Sequence, residues 1–164
     1  MIDSTYLLPA FNVEITEGWS KNDLLSLLTN SEIEIYYCDL SLFEIYTKCM
    51  NLVLQKKISI DINRIENGLN SILHSKDLLK IDWWNHISES EIILQLKSLH
   101  NDSIDCLLYY LSVIFCDSFA TFDSTFINKV QKSTEIIKWV KKVNENFSIW
   151  FGNLSEDRIK FIQG

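Results

Sequence analysis

Residues 100–126, HNDSIDCLLYYLSVIFCDSFATFDSTF, constrain the fold most, because they set two carboxylates on a helix and on the strand that follows it. Asp105 opens a run whose apolar residues Leu107, Leu108, Leu111, Ile114 and Phe115 recur at the spacing of one helix face. That places Asp105 in the first helical turn. The turn signal Cys116-Asp117-Ser118 and the apolar run Phe119-Ala120-Thr121-Phe122 come next, then Asp123, with Ser124 as the expected cap of a following helix. Asp123 is therefore expected at the carboxyl end of a strand, the edge at which open α/β sheets bind ligands.

The pattern Asp-x-Leu-Leu-Tyr from Asp105, followed by Thr-x-Asp-x-x-Phe from Thr121, has its two Asp eighteen residues apart. It resembles the second half of a PIN domain, the metal-dependent ribonuclease fold. In that family the first half supplies an Asp at the end of the first strand and a Glu on the helix after the second. Asp3, in Met1-Ile2-Asp3-Ser4-Thr5, and Glu44, in Leu42-Phe43-Glu44-Ile45-Tyr46, stand in those places. The resemblance implies an α/β fold: a three-layer α/β/α arrangement over residues 1–130, with a mainly parallel sheet whose strands lie side by side in the order 3-2-1-4-5. Residues 131–164 would form a C-terminal helical extension packed on the same domain. It further implies that Asp3, Glu44, Asp105 and Asp123 ligate Mg²⁺ or Mn²⁺, the hard ions that oxygen-only donors suit. Thr121 would orient a carboxylate or a bound water. Endoribonuclease activity on RNA follows, without a histidine, either as the toxin of a toxin–antitoxin pair held by a small antitoxin protein or in RNA processing. Family members commonly dimerise, so a homodimer is expected. The alternative is a catalytically inactive PIN-like module that binds protein or RNA.

The remaining segments read as alternating short strands and amphipathic helices. Met1–Ser4 is an expected strand; its Asp3 alone would be an ordinary helix cap. Glu32–Tyr37 alternates as a second strand, and Asp39 or Ser41 caps a helix reaching Leu54, on which Glu44 borders the apolar stripe and has Lys48 at i+4. A short strand Ile58–Ile60 and a helix from Asp61 to His74 follow. Trp83 and Trp84 offer aromatic faces to single-stranded bases, or one packs in the core and the other at its edge. Ser88 and Glu91 are spaced as a capping box for a helix to Leu99. Asp102, one turn before Asp105, competes with it as a ligand. Lys129, Lys132, Lys138, Lys141 and Lys142 make residues 129–142 the most basic part of the chain, either a solvated helix face or a phosphate contact.

Composition sets limits on these readings. The net charge of −7 argues against nucleic acid, but setting four proposed ligands aside leaves 18 of 22 acids against 15 bases. Cys38, Cys49, Cys106 and Cys116 form no Cys-x-x-Cys pair and have no His at finger spacing, which argues against a zinc site and for buried thiols in a reducing compartment. With no signal-peptide pattern and no 18-residue apolar span, a cytoplasmic protein without membrane association is expected. A haloacid-dehalogenase-like phosphatase would need Asp-x-Asp where this chain has Asp3-Ser4-Thr5, and a receiver domain a second acid beside the first.

Overall fold

Eight helices and five short strands alternate along the described chain, a mixed α/β architecture in which parallel pairing links strands distant in sequence. The computed structural model describes residues 1–13, 15, 18–55, 61–152 and the strand 158–160. The chain divides into two compact units, Ile2–Ile81 and Met1 with Asp82 onward. The expected strand Ile58–Ile60 lies outside the described residues.

In the first unit the Ile2 N–H donates to the Tyr36 carbonyl at 2.9 Å. The expected strand at Met1–Ser4 is replaced by this single bridge at Ile2, because helix α1 (Ser4–Leu7) begins directly after Asp3. A 3₁₀ turn over Leu8–Phe11 carries Pro9 near its start, where a missing amide is tolerated. Helix α2 (Lys21–Leu28) starts with a reciprocal Ser20–Asp23 capping box. Strand β1 (Ile35–Cys38) runs into α3 (Asp39–Leu54), and α4 (Ile62–Leu73) is capped by Asp61. Strand β2 (Leu78–Ile81) pairs parallel with β1, from Ile35↔Leu78 to Cys38↔Ile81, as a helical crossover requires. Sequence patterning misses β2 because Leu78 and Ile81 are buried while Leu79 and Lys80 are exposed, which is no period-two alternation.

In the second unit a 3₁₀ turn (Trp83–Asn85) precedes α5 (Ser90–Leu99) and α6 (Ser103–Phe115). No Ser88–Glu91 capping box forms. Instead the Ser88 hydroxyl pairs with the Tyr110 hydroxyl at 3.2 Å, giving that buried phenol a partner. Helix α6 is buried at Cys106 and continuously from Leu108 to Val113, so Phe115 of the expected stripe lies at the exposed edge. Strand β3 (Ser118–Thr121) leads to α7 (Ser124–Val130) and α8 (Thr134–Val143). The expected helical C-terminal extension is corrected here: after α8 the chain forms β4 (Ser148–Phe151), parallel to β3, and β5 (Arg158–Lys160), antiparallel to β4. Buried Phe147 and Ile149 explain it, since burying them beside β3 also satisfies the backbone in a ladder. The Met1 carbonyl accepts the Ala120 N–H at 2.9 Å on the other side of this strand group.

The second unit is organised around Tyr109. Its ring makes T-shaped contacts with Phe119, Phe126 and Phe147 at centroid distances of 5.8, 5.5 and 5.8 Å, all close to perpendicular. Its hydroxyl is buried without a hydrogen-bond partner among the described residues. All four cysteines are buried thiols.

Two substitutions test this packing. In the first unit, a Cβ on Gly68 of α4 would come within 2.8 Å of the buried Phe11 ring and 2.9 Å of the Ala10 carbonyl. Gly68→Ala should lower stability by about 1–2 kcal/mol in urea unfolding, the clash outweighing the gain in helix propensity; higher stability would show that α4 withdraws without loss. Tyr109→Phe removes an unsatisfied polar group and should be neutral or stabilising by about 1 kcal/mol. A clear loss of stability in the same assay would mean that the hydroxyl has a bonding partner.

Candidate metal centre

Asp105 lies one helical turn before Tyr109 on α6, so the two side chains share a face. Tyr109 packs on Phe126, and Phe126 brings the other pieces together. Its N–H donates to Asp123 Oδ1 at 2.8 Å, making Asp123 the N-cap of α7 in place of the expected Ser124. Its ring lies 4.9 Å from the His100 imidazole. His100 ends α5, where its N–H donates to the Leu96 carbonyl, and its own carbonyl accepts the Cys106 thiol at 3.6 Å. The segment between α5 and α6 is thereby held at both ends.

These constraints gather three side chains. His100 Nε2 is 2.9 Å from Asp105 Oδ2 and 3.6 Å from Asp123 Oδ2. One potential ligand atom from each of the three lies within 4.8 Å of the other two. All three residues are partly buried, Asp123 the most open at 32% side-chain exposure. Neighbouring Cys106 stays a thiol: burial first, then the Asp105 carboxylate, pushes its pKa up to about 12. It therefore offers no thiolate at neutral pH.

The acids expected from the resemblance are placed as follows. Asp105 and Asp123 come together. Asp3, in the first unit, is buried and accepts the Ser4 hydroxyl at 3.0 Å and the Thr5 hydroxyl at 3.5 Å. Glu44 is buried on α3 of that unit, paired with Lys48 through Oε1, while its Oε2 has no hydrogen-bond partner among the described residues. Thr121 is buried at the end of β3, and its Oγ1 accepts the Asp123 N–H at 3.0 Å, so it fixes the turn that presents Asp123. Asp102 caps α6 by accepting the Ile104 N–H at 2.8 Å and is exposed. The residue missed by sequence reasoning is His100. Its signal was its place five residues before Asp105, at the break between two helices, which no helical periodicity registers.

The group gathered here offers one imidazole and two carboxylates, where the resemblance implied oxygen donors alone. Imidazole suits borderline ions while carboxylates suit hard ones, so the combination fits Mn²⁺ better than Mg²⁺ and admits Zn²⁺. Three donors from separate elements leave positions open for water or substrate.

A thermal melt with and without Mn²⁺ tests the site. A ligand bound only to the native state stabilises it by about 2.7 kcal/mol at a hundred times its Kd. Asp123→Asn keeps a good capping residue while removing the charge, which separates the cap from the ligand. We expect Mn²⁺ to raise the Tm of the wild type and of Asp117→Asn, and to raise it much less in Asp105→Asn and Asp123→Asn. Equal rises in all four proteins would remove these carboxylates from any metal site.

No family model matches this chain, and no match emerges among curated proteins or solved structures.

Proposed function

We propose that this chain is a metal-dependent endoribonuclease of the PIN type, hydrolysing RNA phosphodiester bonds. The observation that carries the proposal is the convergence of His100, Asp105 and Asp123, with ligand atoms within 4.8 Å of one another. In this reading Asp105 and Asp123 hold a divalent cation, Mn²⁺ or Mg²⁺, and His100 joins them. Such an ion would supply Lewis acidity toward the phosphodiester and a lowered pKa for an attacking water. Phe126 occupies Asp123 Oδ1 through its N–H, and Asp123 Oδ2 is the oxygen within 3.6 Å of the imidazole. Thr121 holds the strand-to-helix turn in register. Asp3 and Glu44 enter the proposal through the resemblance alone, as do the five-stranded order 3-2-1-4-5, a homodimer, and an antitoxin partner or an RNA-processing role.

A second reading, a PIN-like binding module without catalysis, is favoured by one observation. Asp105 is already hydrogen-bonded to His100, and Asp123 already caps α7, so both carboxylates have protein partners without an ion.

Cleavage of single-stranded RNA in Mn²⁺ decides between the two. The enzyme reading expects activity that a chelator abolishes and that Asp105→Asn lowers by at least about a hundredfold, since even residues supporting a metal ligand commonly contribute 10–100-fold. Asp117→Asn should keep full activity. RNA bound but never cut, at any divalent ion, would leave the binding module.

A further inference from the structure

The segment between β2 and α5 ends in an arrangement that the acidic cluster does not use. Trp83 and Trp84 stack with ring centroids 4.1 Å apart and planes 18° from parallel. Trp84 remains 76% exposed while Trp83 is half-buried behind it. An indole this exposed forgoes most of the burial that makes tryptophan favourable in a fold. Its exposed neighbours along the chain are Asp82, Asn85 and Ser88 to Glu91, three of them acids.

The segment is anchored. The Tyr110 hydroxyl donates to the His86 carbonyl at 3.4 Å, accepts the Glu89 N–H at 3.2 Å and pairs with the Ser88 hydroxyl. The His86 ring packs edge-on to Phe115 at 4.4 Å. Glu89 extends the anchor to α8, accepting the Trp139 indole N–H at 2.8 Å, while the Trp139 ring stacks on Tyr110 at 5.6 Å. Helix α8 carries Lys138 and Lys142 at i and i+4, one row beside Trp139, with Lys141 next to them, and all three are exposed. A basic helix face is thus tied to the segment that presents an aromatic face, in a chain whose net charge is −7.

The geometry points to a binding surface for single-stranded RNA in which the open face of Trp84, backed by Trp83, stacks an unpaired base while Lys138 and Lys142 take backbone phosphates. Stacking on an aromatic plane beside a positive track is how unpaired strands are held without sequence readout. A duplex keeps its bases stacked on each other and offers none to Trp84. Helix α6 connects this surface to the cluster. Phe115 and Asp105 are ten residues apart on it, which spans roughly 15 Å at the α-helical rise. A single strand on Trp84 therefore belongs to the same unit as the proposed cutting site. The choice of RNA rests on the ribonuclease reading, while the stacking surface itself does not require a metal.

The test is therefore made in EDTA, on the full chain, by fluorescence anisotropy of a labelled single-stranded oligoribonucleotide titrated at several salt concentrations. Trp84→Ala should melt like the wild type, weaken binding about tenfold, the size of one lost base stack, and leave the salt dependence unchanged. Trp84→Phe, which keeps a flat ring, should recover most of that loss. Lys142→Gln should instead reduce the slope of log K against log salt by about one. A duplex of the same length should compete poorly. Equal affinity of wild type and Trp84→Ala, or a duplex bound as tightly as the single strand, overturns the proposal. If RNA is never cleaved but Trp84-dependent binding persists, the nuclease reading fails and this one stands; if cleavage occurs with binding indifferent to Trp84, the reverse holds.

Discussion

The T-shaped packing of three phenylalanines on Tyr109 is the interaction on which the second unit depends. Phe119 comes from β3, Phe126 from α7 and Phe147 from the approach to β4, so one buried ring on α6 sets the mutual position of four elements. Each perpendicular pair contributes about 0.5–1.5 kcal/mol beyond its buried area. The positional effect matters more for function. Asp105 rides one turn away on α6 and Asp123 three residues before Phe126, so the ring cluster fixes the separation of two carboxylates that no direct bond joins among the contacts described.

Polar contacts then refine what the aromatic core approximates. Asp123 is held by the N–H of Phe126 on one oxygen and by Thr121 through its own N–H, which leaves its side chain little freedom. His100 is held by the Leu96 carbonyl, the Cys106 thiol and the tilted ring of Phe126. Holding donor groups on packed elements before a ligand arrives reduces what must be ordered on binding, the condition for a precise site. The same contacts have a structural value of their own. The His100–Asp105 hydrogen bond gives a partly buried carboxylate a partner within the fold.

Two kinds of information were legible in the residues. Helices announced themselves where polar starts and apolar periodicity agreed: α4 from Asp61 and α6 around Leu108 and Leu111. Asp105 and Asp123 were legible as a pair because one opens a helix and the other follows a short apolar run. The strands were harder. Strand β2 buries only its two ends, and β4 follows a helix where more helix was expected, so neither carries a repeating pattern. The Trp83–Trp84 pair was read either as offering its faces to bases or as packing one ring in the core and the other at its edge; neither ring is buried, because a 3₁₀ turn anchored through Tyr110 turns the pair outward.

By itself the sequence determined the class of the fold and the position of the acids along the chain, because local propensity and spacing act within one or two helical turns. It also pointed to buried thiols, since the four cysteines form no Cys-x-x-Cys pair and have no His at finger spacing. Only the tertiary structure decided which groups share a site. His100 joins Asp105 and Asp123 because a break between two helices, a thiol–carbonyl contact and the ring of Phe126 position it, and none of these leaves a periodic trace. Asp102 and Asp105 differ by one turn in sequence, yet one caps a helix toward solvent and the other faces the imidazole. That assignment depends on helix rotation, and helix rotation is set by what packs on Tyr109, through contacts from residues ten to nearly forty positions away in the chain.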